Sequence, residues 1–263
     1  MCAYDKSHCP KNQGIAMNNL PEPKLRDGNK LHKNEVFCEG EFGDDVVKKI
    51  GARIVYLIYT GRNDLSGDDW ADIFAASVGG QSFNSPIGIA DVALNKCAWS
   101  MKTVKNSSPF SATAVRLISG RCSPDYSYGI ENPHDDVQKT GNAVLAIYNS
   151  RVQISYVDYN PVRTCVLVRN PLLSEFVLFE HRLESYAIAD YRWTENAKGN
   201  FEGIRKADDQ HCFTWQPHGS QFTIVERVPD TAVKFRLRIP ERLPLEVALQ
   251  NMNFDDSWVS IIK

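Results

Sequence analysis

The spacing of apolar residues divides the chain into stretches of helical and of strand period. Residues 66–80 put Trp70, Ile73, Phe74 and Val78 on one face at helical intervals. Ser66 or Asp68 can cap the start of that helix, and Gly79 with Gly80 can close its end. A first helix is predicted over residues 39–50, with Asp44 and Asp45 in its early turns. Residues 52–60 are β-branched and aromatic and stop at Gly61, which reads as a buried strand, or as a helix continuing from Val46. Strands are predicted over residues 85–94 and 98–105, antiparallel around a turn at Asn95 and Lys96, and over 115–120. Residues 134–150 predict a helix with Asp135 and Asp136 in its first turn. Residues 152–159 and 164–170 alternate and predict two strands joined at Asn160 and Pro161.

Further strand patterns run through residues 174–186 and 212–239, before a short closing helix over 243–252. This order fits a mixed α/β fold, a central mixed sheet flanked by helices, with a β-rich C-terminal region. Residues 1–35 are polar and rich in Asn, Lys and Pro, and predict a flexible arm. A core over 36–170 and a β-rich region over 171–263 follow, the latter either a separate lobe or continuous with the core.

Within the strand pair lies the candidate chemistry. Asp91 interrupts an apolar strand, and Ser100 and Lys102, two residues apart, share one face of the next. A carboxylate and a lysine brought together across a short hairpin suit phosphodiester hydrolysis. The carboxylate holds a hard divalent cation, and the lysine positions or activates water and steadies phosphate charge. Trp99, between Ser100 and Ala98, is expected on the opposite, core-facing side.

The stretch 66–120 resembles the PD-(D/E)XK nuclease superfamily, which includes most type II restriction endonucleases. The family pattern runs helix with an acid, loop, strand bearing Asp, hairpin, strand bearing acid-x-Lys. Its counterparts here are Asp72 on the helix, Asp91 on the first strand, and Ser100, Met101 and Lys102 on the second. Ala90 replaces the usual proline before Asp91, and Ser100 replaces the usual acid. The resemblance implies Mg²⁺ on Asp91 and the Met101 carbonyl, with a carboxylate recruited from elsewhere. Asp72 is the first candidate, ahead of Asp69, Glu131, Asp135 and Asp136. It implies a Mg²⁺-dependent, restriction-endonuclease-like enzyme that cuts double-stranded DNA to 5′-phosphate and 3′-hydroxyl ends. A homodimer is expected, because a two-fold protein matches a palindromic site. Alternatives are a repair or junction nuclease of the same fold, and a DNA-binding module with a degenerate site.

DNA contacts are expected from Gln216, His218, Ser220 and Gln221 in the loop after Trp215, since amides can read adenine edges. Arg192, Asn196, Lys198, Asn200 and Arg205 are expected to complete that surface, and Lys105, Arg116, Arg121 and Lys139 to meet phosphates. A loop built only around a buried Trp215 is the competing reading.

Composition adds exclusions. The net charge of −2 argues against a non-specific nucleic-acid coater but permits basic residues gathered in one cleft. No apolar run spans a membrane, the start lacks a signal-peptide pattern, and the seven scattered cysteines predict reduced thiols in a prokaryotic cytoplasm. Partial metal patterns, Cys2 with His8 and Cys9 and His211 with Cys212 and His218, lack complete ligand spacing. Neither a Walker-type loop nor a G-x-S-x-G elbow occurs, so no nucleotide cofactor is expected.

Overall fold

The computed structural model describes residues 37–262. The predicted N-terminal arm and the Cys2, His8 and Cys9 group lie outside them. The described residues form a mixed α/β structure with two sheets and five α-helices.

Helix α1 (Asp44–Tyr59) is continuous, so residues 52–60 extend the first helix rather than forming a strand. Ile50, Ile54 and Ile58 are buried while Ala52 and Tyr56 between them are exposed, which fits a helix face and not strand alternation. Helix α2 (Gly67–Val78) follows the predicted span. Ser66 and Asp69 form a reciprocal capping box at its start, and Gly79 ends it in the left-handed conformation.

The expected single strand over 85–94 is a hairpin, β1 (Gln81–Ile87) and β2 (Ala90–Leu94). Gly88 turns the chain between them with φ +66°, and helix α4 packs so close that a Cβ there would lie 2.4 Å from Ser155 Oγ. A glycine spacing signal was thus hidden inside an apolar run. Strand β3 (Cys97–Lys105) pairs antiparallel with β2 around Asn95, as expected.

Strand β4 (Ala114–Arg121) leaves for the second sheet. A short helix α3 (Pro124–Tyr128) then leads to α4 (Val137–Asp158), which absorbs the expected strand over 152–159. Val144, Leu145, Tyr148, Val152 and Ser155 are among its buried residues, a helical spacing that overrides the β-branched composition of its last turns. Strand β5 (Val162–Arg169) returns parallel to β3, and β6 (Glu175–Arg182) and β11 (Val233–Arg236) add antiparallel on its far side. The first sheet therefore has the order β1-β2-β3-β5-β6-β11.

The second sheet is antiparallel throughout, with the order β4-β10-β9-β8-β7. Its other strands are β7 (Tyr191–Glu195), β8 (Phe201–Arg205), β9 (His211–Gln216) and β10 (Gln221–Arg227). Both halves of the chain enter both sheets, because β4 joins the second and β6 and β11 join the first. Helix α5 (Leu245–Asn251) closes the described chain.

Helices α1 and α2 cover one face of the first sheet around Trp70, Phe74 and Trp99. On the other face, α4 and the second sheet build a core from Val144, Tyr148, Trp193, Phe213 and Phe222. A third cluster, Val115 and Leu117 on Val166, Val168, Val177 and Phe179, seats β4 directly on the first sheet. Among the described residues no helix is long and apolar enough to cross a membrane.

Gly141 in α4 lies against the indole of Trp193, where an added Cβ would sit within 2.1 Å of a ring carbon. Ala is ordinarily the better helix residue, but here overpacking dominates. Gly141→Ala is expected to destabilise the fold by about 1–3 kcal/mol, read as a lower urea midpoint with unchanged slope.

Candidate active site

The side chains of β3 divide as its alternation requires. Cys97, Trp99 and Met101 enter the helix-covered core, and Ser100 and Lys102 take the other face. Residues 92–94 of β2 pair with 97–99 of β3, and the Asp91 carboxylate caps the end of this ladder by accepting from the Met101 backbone N–H at 2.7 Å.

Lys102 Nζ donates to Ser100 Oγ at 2.9 Å and to the Met101 carbonyl at 3.2 Å, and stands 3.9 Å from Asp91 Oδ2. The two side chains keep 19% and 23% exposure, enough for solvent or a phosphate to reach them. Burial pushes the Asp91 carboxyl above its ordinary range, while Lys102 and the Met101 N–H pull it back. Burial likewise pushes the Lys102 ammonium down against the pull of Asp91.

Asp91, Ser100 and Lys102 are thus brought together. Asp72 is not part of this group. Its carboxylate is exposed on α2 and accepts from Ser82 Oγ at 2.5 Å, on β1. The α2 acid that acts electrostatically on Asp91 is Asp68, one helical turn earlier. The other reserve acids are placed elsewhere. Asp69 completes the α2 cap and binds Arg62, Asp136 caps α4, and Asp135 pairs with Asn132.

Arg151 escaped the sequence reading because residues 152–159 looked like a strand starting just after it. It lies on α4, one turn before Ser155, whose hydroxyl holds the Ile89 N–H on the β1–β2 turn. That contact brings Arg151 within electrostatic reach of both Asp91 and Lys102. Arg151 Nη1 also donates to the Ser119 carbonyl at 2.9 Å, tying the site to the end of β4.

On the first sheet, Ser100 pairs with Thr164 and Thr164 with His181, a polar row crossing three strands. Opposite this row stand Ser119 and Glu226 of the second sheet, and the space between the sheets is a cavity of about 360 Å³ reaching Lys102.

The residues expected to contact DNA separate into two groups. Gln216, Gln221 and Arg121 are direct cross-strand partners on β9, β10 and β4, and so form one polar row. His218 is exposed on the adjoining turn, and the Ser220 carbonyl accepts from Cys122 N–H at 2.8 Å. This end of the second sheet adjoins Gly120, beside which the Arg151 guanidinium lies, so it is continuous with the Asp91 and Lys102 site. Trp215 is buried under the row, its indole N–H donating to the Cys122 carbonyl at 2.9 Å.

Lys198 is exposed on the β7–β8 turn at the same end, but Asn196 is occupied within that turn. Its side chain accepts from Lys198 N and Asn200 N and donates to Glu202. Arg192 and Arg205 belong to the opposite end of the sheet, next to the β8–β9 turn. There they pair with Asp209 and Asp208, whose positions in that turn the sequence periodicity did not reveal. Lys105 ends β3 and pairs with Asp64 at 2.9 Å. His211 spends Nε2 on the Phe213 carbonyl and Thr214, at the end of β9 away from His218, so the two histidines and Cys212 do not converge. Among the described residues, Cys122, Cys165 and Cys212 are free thiols.

No protein-family model, no curated protein and no solved structure matches the chain.

Proposed function

We propose that the chain is a Mg²⁺-dependent endonuclease that cuts double-stranded DNA at specific sites, of the type II restriction kind and with a restriction-endonuclease-like core. The observation that carries the reading is the approach of Lys102 Nζ to within 3.9 Å of the Asp91 carboxylate, across a hairpin and at the solvent boundary. The order of a capped helix, a strand bearing Asp, a hairpin and a strand bearing Ser-x-Lys supports it.

The donor set suits a hard cation of modest protein coordination. Among the described residues no cluster of three or more His, Cys, Asp or Glu exists, which disfavours a zinc cage. Mg²⁺ instead takes one or two carboxylates and fills its octahedron with water and phosphate. Asp91 and the Met101 carbonyl would hold it, with an acid of α2, Asp72 or Asp68, as the second carboxylate. When bound, the ion supplies Lewis acidity toward the phosphate and a more acidic water.

The chain's own groups do the rest. Lys102, held by Ser100 Oγ, places an ammonium where phosphate charge builds up. Arg151 adds a second cation from the α4 side. Gln216, Gln221 and Arg121 form a row suited to base edges, amides to adenine and guanidinium to guanine. A homodimer would present two such surfaces to a palindrome.

Incubation with unmethylated phage DNA and Mg²⁺ is expected to give discrete fragments, and EDTA to stop their formation. Smeared degradation, or cutting that persists in EDTA, counts against the proposal.

A further inference from the structure

We propose that the cavity between the two sheets is a nucleotide pocket, which receives the base next to the cut phosphate after that base has turned out of the duplex. The proposal rests on the nuclease reading for its DNA source. The pocket itself rests on independent features.

The first is position. Ser100 and Lys102 line part of the cavity, so an occupant of that part lies next to the phosphate that Lys102 would hold. In a nucleic acid, the groups that close to a phosphate are the sugar and base of its own nucleotide. The cavity lies between the two β-sheets, in reach of a single extruded base. Its volume of about 360 Å³ is at the lower end for small-ligand sites.

The second is the chemistry of the walls. Tyr186, half-buried, supplies aromatic surface on which a base can pack, with the buried Tyr148 and Phe213 rings fixing it from behind. His181 Nδ1 is engaged with the Arg182 carbonyl at 3.1 Å, while its Nε2 is buried and has no hydrogen-bond partner. The nearest acid, Glu226 Oε2, stands 3.6 Å from that nitrogen, outside hydrogen-bond range. The His181 and Glu226 side chains keep 33% and 25% exposure in the cavity wall, so a ligand carrying both donors and acceptors can reach the pair and complete its hydrogen bonding. A base edge carries both. Extruding a base costs a few kcal/mol, least where it is mispaired, so this pocket would also favour particular bases.

Two arms test the proposal on the full chain. In the first, duplexes that the protein cuts carry a single mismatch at each position around the cut, and affinity is measured with Ca²⁺ in place of Mg²⁺. A mismatch at the extruded position is expected to tighten binding about tenfold, because the unpairing cost is already met. His181→Ala and Glu226→Gln should remove most of that gain without shifting the melting temperature. In the second arm, the four deoxynucleoside 5′-monophosphates are titrated against the free protein by saturation-transfer NMR, with His181→Ala as control.

A mismatch gain without monophosphate binding assigns the pocket to a base of the DNA. Monophosphate binding that His181→Ala abolishes, in a protein that cuts no DNA, keeps the pocket as a free-nucleotide site and sinks the nuclease reading. Cleavage with neither signal keeps the nuclease and overturns the pocket. The absence of cleavage and of both signals overturns both.

Discussion

Lys102→Ala is expected to slow DNA cleavage by about 10²–10³-fold, the usual effect of removing one preorganised charge from a phosphate-transfer site. That corresponds to about 3–4 kcal/mol of lost transition-state stabilisation. The ammonium is fixed by Ser100 Oγ and the Met101 carbonyl before any substrate arrives, so little reorganisation accompanies the reaction. Its removal also leaves Asp91, already pushed up by burial, without its nearest cation. Affinity for DNA measured with Ca²⁺ should change only a few-fold, since backbone contacts elsewhere supply most binding. Single-turnover rates on a supercoiled plasmid make the measurement. A variant that cuts within about threefold of the parent rate would remove Lys102 from the chemistry.

Glu180→Ala is expected to cost about 3–5 kcal/mol of stability, the range for breaking a buried ion pair from one side. Glu180 and Arg163 are both fully buried on adjacent strands, with Arg163 Nη1 2.6 Å from Glu180 Oε1. Burial pushes the Glu180 carboxyl above the usual glutamate range, and Arg163, Trp99 and Gly40 hold it back by charge and hydrogen bonds. Trp99 Nε1 donates to Glu180 at 2.8 Å and Gly40 N at 3.1 Å, while Arg163 Nη2 donates to the Phe37 carbonyl. The alanine variant leaves the guanidinium and the indole N–H without these partners in a dry environment. Replacing both members, Arg163→Met with Glu180→Leu, should recover a large part of the loss, because no uncompensated charge then remains. Urea unfolding of Arg163→Met, Glu180→Leu and the double variant closes the cycle. Equal losses from the double and single variants would show that packing around Trp99, not charge, sets the cost.

The hairpin chemistry was legible because it is local. Asp91, Ser100 and Lys102 lie within twelve residues in the chain, and strand alternation alone puts Ser100 and Lys102 on one side. Helix α2 was legible from Ser66, Asp69 and Gly79, whose capping roles need no tertiary context. What the pattern could not supply was register between elements. Whether Asp68 or Asp72 faces Asp91 depends on how α2 slides along the sheet, and both satisfy the same sequence pattern. Residues 152–159 were misread because Val152, Ile154 and Tyr156 also alternate, and only packing against the second sheet decides for helix. That misreading concealed Arg151, which a strand would have pointed elsewhere. The separation of Arg192 and Arg205 from Gln216 follows from strand direction in the second sheet, which depends on β7 and β8, neither of which was foreseen.

The exchange of strands between the sheets bears on how specificity can change. Because β4 lies between the hairpin and β5 in sequence yet borders β10, the row proposed to read DNA is not a removable cassette. A grafted C-terminal part would arrive without the strand that its edge requires and would take β6 and β11 away from the chemistry's own sheet. New recognition would have to arise by point changes in the turn 217–220 and its flanking amides. If the proposed activity holds, divergence of that kind leaves two proteins with almost the same scaffold and different targets.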